Sequence, residues 1–134
     1  MSKIGVAFVL VASSLVLPAM SMDYYVDPVK GSMANPGTAA APWSTFAAVI
    51  AAGKKFKPGD HVILRRGYHG NPLVTGVNAG DVYVHAQAGH TPTLRALRLM
   101  NAEHWNFKGL TVSPMVVPPG HADALAGNAG IDID

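Results

Sequence analysis

The sequence predicts an all-β fold of stacked short coils, opened by a cap that carries one short helix, over residues 22–134. Two observations carry that expectation. Short β-type runs start at Val62, Val82, Trp105 and Ile131, at intervals of 20, 23 and 26 residues, with Gly, Asn and Pro between them. Recurrence of that size suits a solenoid, in which each turn of chain buries its apolar side against the next. Ahead of those runs, residues 24–68 read in order as a short strand, a turn-rich loop, a short helix, a tight turn and a second strand.

Residues 1–21 stand apart from the fold. Lys3 provides a positive start, Ile4 to Leu17 is an uncharged run broken only by Gly5, Ser13 and Ser14, and Pro18-Ala19-Met20-Ser21 sets small residues at the −3 and −1 positions of a cut after Ser21. That is the pattern of a secretory signal peptide. A membrane anchor needs ~20 apolar residues, and the 14 here are too few. The expected location is therefore secreted or periplasmic, with no membrane contact after cleavage. The remaining 113 residues suit one small domain, and the absence of cysteine leaves an apolar core as its main source of stability. Nine Lys and Arg oppose eight Asp and Glu in that part, and the densest basic groups are Lys54-Lys55 with Lys57 and the pair Arg65-Arg66. These read as solvated loop charges, and nucleic-acid binding gains no support.

The elements follow in chain order. Tyr24-Tyr25-Val26 is the first strand, and Phe46, Val49 and Ile50 fall on one side of a helix of about nine residues. Ser44 or Thr45 suits its N-cap, the alanines at 47, 48, 51 and 52 favour it, and Gly53 stops it. So short a helix needs its apolar stripe covered, and the open end of a parallel stack would do so. The pattern also fits an ordinary helix of a small α+β domain. Pro58-Gly59 suits the centre of a type II turn. The strand after it alternates, with Val62 and Leu64 on one face and His61, Ile63 and Arg65 on the other. Gly67 and Gly70 bracket a further turn, and Val82-Tyr83-Val84-His85 repeats the alternation. Leu94, Leu97, Leu99, Leu110 and Val112 would supply further faces.

The words Tyr24-Tyr25-Val26-Asp27-Pro28, Asn35-Pro36-Gly37-Thr38, Ala41-Pro42-Trp43-Ser44-Thr45, Lys57-Pro58-Gly59-Asp60 and Arg65-Arg66-Gly67-Tyr68-His69-Gly70 resemble the openings of many secreted, pectate-lyase-like right-handed parallel β-helix proteins. His104 to Ser113 is similar to a following coil of the same proteins, so the resemblance spans about residues 24–113. One departure is Gly67-Tyr68-His69-Gly70, where Gly-Thr-Tyr is usual. The resemblance implies an N-terminal cap and the first three or four coils of such a helix. It also implies a polysaccharide lyase-like parent that acts on an acidic polysaccharide by β-elimination, with Ca²⁺ as the cofactor of a full-length parent. A non-catalytic β-helix that binds glycans, or serves as an adhesin or surface scaffold, opens with the same words, because one fold hosts many functions.

In the resembling enzymes the acids and the base come from later coils. No residue here is matched to them, so none is assigned as catalytic or as a metal ligand, and the 134 residues are expected to be inert alone. Asp132 and Asp134 alternate with Ile131 and Ile133, which suits a solvent-facing pair better than a calcium shell of six to eight oxygens. His61, His69, His85, His90, His104 and His121 lack zinc-ligand spacing, and His61 and His85 are expected in register on neighbouring coils, facing outward. Tyr68, Tyr83 and Trp105 offer rings for sugar stacking, although rings in coils more often pack. Pro114 to Gly130 reads as a long loop, and Ile131-Asp132-Ile133-Asp134 as the start of a strand with no closing cap, which a solenoid needs. The expectation is a piece of a longer β-helix.

Overall fold

The computed structural model describes residues 20–121 and the backbone of 130–133, so the signal-peptide segment before residue 20 lies outside the described residues. Among the described residues the fold is all-β apart from one short α-helix and one 3₁₀ turn, and every strand pairing is parallel. The strands are β1 (Asp23–Val26), β2 (His61–Leu64), β3 (Gly67–Tyr68), β4 (Leu73–Ala86), β5 (Pro92–Leu94), β6 (Ala96–Lys108), β7 (Thr111–Val112) and β8 (Gly130–Ile133). Helix α1 (Phe46–Ala51) lies between β1 and β2, and the 3₁₀ turn (Pro114–Val116) follows β7.

One sheet has the order β1-β2-β4-β6-β8 and the other β3-β5-β7. The register of the first shifts between Val77 and Val82, which splits β4 and β6 into two arms each. Three parallel ladders result. The first stacks β1, β2 and the second arms of β4 and β6, with Tyr25, Ile63, His85 and Lys108 in one row. The second stacks β3, β5 and β7. The third stacks the first arms of β4 and β6 with β8. The chain visits the ladders in rotation, so each circuit lays one strand beside its predecessor.

One register differs from the sequence-based expectation: His61 pairs with Tyr83 and not with His85. The run at Ile131 joins the third ladder beside Leu97 and does not continue the series of Val62, Val82 and Trp105. The cause is that one circuit contains more than one strand, so runs of similar appearance belong to different ladders. Gly67-Tyr68 likewise forms strand β3, where the sequence suggested only a turn.

Alternation sorts the side chains. Val26, Val62, Leu64, Val82 and Val84 point inward from the first ladder and join Val74, Leu94 and Leu97 of the others in one core. All except Leu97, at 3%, have no solvent exposure. Phe46 and Val49 of α1 enter the same core, and Phe46 meets Phe107 edge to face at 6.2 Å. Burying each such side chain contributes about 1.5–3 kcal/mol, which carries a six-residue helix that would not persist alone. The Thr45 hydroxyl accepts from Ala48 N–H at 3.1 Å as N-cap, and Gly53, at φ +73°, ends the helix. The turn before β2 is closed by Asp60 N–H donating to Lys57 O at 3.0 Å, with Gly59 at φ +89°.

The loop between β1 and α1 folds back along β1. Tyr25 N–H donates to Gly37 O at 2.7 Å, Trp43 N–H to Tyr25 O at 2.9 Å and Asp27 N–H to Trp43 O at 2.8 Å. This covers the outer edge of the sheet, where unpaired backbone would otherwise invite another strand. Buried Asp27 accepts from the amides of Val29 and Lys30, at 2.9 and 3.0 Å. Burial pushes its carboxyl up, but those amides and the Arg65 guanidinium outweigh burial and hold it below the ordinary carboxylate value. Asp60, 1% exposed, accepts from Met22 N–H and Lys57 N–H, each at 2.8 Å, and ties the start of β1 to the turn before β2.

Candidate functional site

The outward positions of the first ladder carry the chemistry. Asp23, His61, Tyr83 and Asn106 form one row, and Tyr25, Ile63, His85 and Lys108 the next. His61, Tyr83, His85, Asn106 and Lys108, together with the apolar residues Val84, Ala86, Ala88 and Phe107 and with Gly109, line an open groove of about 760 Å³. None of its lining residues is a carboxylate. The side chains stand on adjacent parallel strands, which fixes their spacing more firmly than a loop would.

Within the groove the imidazoles of His61 and His85 meet, but not in register. His61 is level with Tyr83, and His85 with Ile63. The contact is diagonal: His61 Nδ1 lies 2.9 Å from His85 Nε2, and the rings are nearly perpendicular. His85 Nδ1 is 3.1 Å from the Ala86 carbonyl, which can only accept, so that nitrogen carries the hydrogen. The neutral His85 Nε2 is then an acceptor, and His61 Nδ1–H donates to it. His61 also stacks on Tyr83, with ring centroids 5.0 Å apart and planes 24° apart.

The other candidates separate. Of the three rings weighed for sugar stacking, Tyr83 alone lines the groove, 37% exposed. Trp105 turns inward against the core, stacked on Phe107 at 6.2 Å and edge-on to Phe56 at 5.9 Å. Tyr68 is half-buried and meets His121 edge-on at 4.9 Å. Its neighbour His69 is fully buried, with Nδ1 accepting from Phe46 N–H at 3.1 Å and Nε2 bonded to Arg65 O at 2.7 Å. His90 Nδ1 accepts from Arg66 N–H at 3.0 Å, and exposed His104 lies 3.4 Å from Asp81. The side chains of Asp132 and Asp134 lie outside the described residues, as does the backbone of Asp134.

Arg65 corrects the reading of the basic pairs as solvated. It is half-buried, donates to Gln87 Oε1 at 2.9 Å and Ala39 O at 3.0 Å, lies 3.5 Å from Asp27, and covers the Tyr25 ring at 5.1 Å. It therefore holds the cap loop to the first ladder. Lys54 similarly sits over the Trp43 ring at 5.1 Å.

Sequence reasoning placed His61 and His85 outward and offered Tyr83 as one of three stacking rings, but it missed Asn106 and Lys108 as members of the same groove. The signal was present in the spacing of Val82 and Trp105, since a 23-residue offset from Tyr83 and His85 lands on those two positions. Among the described residues no group of three or more His, Asp or Glu converges in a way that would hold a metal ion, and no helix is long and apolar enough to cross a membrane. No family model, curated protein or solved structure matches this chain.

Proposed function

We propose that this chain is the opening part of a right-handed parallel β-helix from an exported, polysaccharide lyase-like protein, and that the outer face of its first ladder binds an acidic polysaccharide. The observation that carries the proposal is the groove itself. It joins an exposed ring (Tyr83), two imidazoles, an amide (Asn106) and a lysine (Lys108), with no carboxylate among its lining residues. A sugar ring stacks on an aromatic face, its hydroxyls need side chains that donate and accept, and a uronate carboxylate needs a cation. The three parallel ladders and the helix-bearing cap support the architectural half of the reading.

Binding is assigned to this chain and elimination to a longer parent, in which Ca²⁺ and a base from further coils would act. A second reading, a non-catalytic glycan-binding or adhesin scaffold, is favoured by the uses of the acids: Asp27 and Asp60 are occupied by backbone amides, and Asp81 faces His104. Calorimetric titration with galacturonate oligomers tests the shared claim. Tyr83→Ala and Lys108→Ala should each weaken binding about tenfold, or about 1.4 kcal/mol. Failure of the chain to bind any uronate oligomer would remove the proposal. Following the ultraviolet absorbance of unsaturated product, with and without Ca²⁺, then separates the readings on the parent: turnover there supports the lyase, and binding without turnover the scaffold.

A further inference from the structure

We propose that the His61–His85 pair is a proton-set subsite of the groove, which presents an acceptor to a sugar hydroxyl when neutral and a donor to a uronate carboxylate when it holds one proton. The inference rests on the glycan-binding reading and adds which ligand group is recognised there and what selects it.

The hydrogen bonds carry the argument. In the neutral pair the chain of donors runs from His61 Nδ1–H to His85 Nε2 and from His85 Nδ1–H to Ala86 O, over 2.9 and 3.1 Å. Three of the four ring nitrogens are thereby occupied. His61 Nε2 is the fourth, and it makes no hydrogen bond among the described residues. It is a bare acceptor on a residue that lines the groove. One added proton goes there without breaking either existing bond, turning the acceptor into a cationic donor. A second proton has no such place, because on His85 Nε2 it would oppose His61 Nδ1–H and set two cations side by side. The pair therefore has two working states, differing by one charge and by the sense of one hydrogen bond.

The charged groups around the pair come from three strands: Asp23 on β1 is level with His61, Lys108 on β6 is level with His85, and Arg65 lies beyond the end of β2. Tyr25, Tyr83 and Asn106 complete the face and carry no charge at neutral pH. Imidazole is the side chain that changes charge between about pH 5 and 8, whereas a uronate carboxylate stays ionised across that span. An anionic ligand and the protonated pair therefore reinforce each other, as linkage requires.

The test is calorimetric titration of the whole chain with a galacturonate oligomer and with a neutral glucan oligomer of equal length, at about pH 8 and about pH 5. Uronate affinity should rise about tenfold toward acid, as one charge-assisted hydrogen bond implies, while glucan affinity stays level or falls. His61→Gln should abolish the rise. Lys108→Ala should lower uronate affinity at both pH values yet keep the ratio between them, which guards against a general charge effect. Uronate binding without the acid gain, or a gain that survives in His61→Gln, overturns the inference and leaves the glycan reading standing. Absence of uronate binding at either pH defeats both.

Discussion

His69 has both ring nitrogens committed inside the protein, one to the first amide of α1 and the other to the Arg65 carbonyl. The carbonyl can only accept, so Nε2 carries the hydrogen and Nδ1 must stay bare to receive Phe46 N–H. Burial disfavours the charged ring and pushes its pKa down to about 4, against smaller upward pushes from the Arg65 carbonyl and Asp27. An unfolded chain takes up that proton near 6.5. Between those values the unfolded state holds more protons, so stability is full above about pH 6.5 and falls as pH drops toward 4. The loss from this group is roughly 3 kcal/mol. Asp27 acts in a lower window, since its depressed carboxyl gives up stability only as pH falls below the ordinary value of 3.8. Urea melts at pH 7 and pH 4.5 should therefore differ steeply in the wild type, and the difference should shrink in His69→Gln, which keeps an acceptor and a donor but cannot titrate. Equal pH slopes in the two proteins would show that the ring is not the group responsible.

Glycines in the cap show how an element can be set by local chemistry or by packing. Gly37 and Gly53 both lie at positive φ, +88° and +73°. A Cβ on Gly37 would come within 2.7 Å of the Trp43 indole, whereas one on Gly53 would meet nothing within 4 Å. Gly53→Ala should thus cost only the left-handed backbone penalty, about 1–2 kcal/mol. Gly37→Ala adds displacement of a ring whose Nε1 donates to Asn35 O at 2.9 Å, and should cost about 2–4 kcal/mol. Chemical denaturation of the two variants side by side checks this, and equal losses would mean that the indole yields freely. The same contrast explains what the sequence made legible in the cap. Thr45, Gly53 and Pro58-Gly59 announce themselves because capping and turning are decided within a few residues. The Asn35 to Thr38 segment covers the edge of β1, and His69 caps a helix 23 residues away, through contacts that no local pattern encodes.

Across the whole molecule, the faces were legible and the registers were not. Alternation alone put Val62 and Leu64 inward and His61 outward, because the side-chain period of a strand is two. Register depends on circuit length, and circuits here vary: Thr93 pairs with Thr111 after 18 residues and Gly67 with Pro92 after 25. Hence Ile131 seemed to follow Trp105 when it pairs with Leu97, and the meeting of His61 with His85 required the register to be seen. Burial of Ile63 was also hidden, since it sits on the outer face yet is only 8% exposed in the row between Tyr25 and His85. These unequal circuits have a consequence for stability. In a stack where each strand touches its neighbours, protection depends on having a partner on both sides. The strand β2 and the second arm of β4 have one on each side, and Val62, Leu64, Val82 and Val84 have no solvent exposure. Among the described residues Thr111 and Val112 of β7 pair on one side only. Native-state hydrogen exchange should find the amides of residues 62–64 and 82–86 opening only with global unfolding, and those of 111–112 opening locally at lower cost. Leu64→Ala, which should remove about 2–5 kcal/mol from the core, sharpens the test. It should lower protection of the first group by that amount and leave the second unchanged. If both groups fall together, the ladders unfold as one unit and the graded picture is wrong.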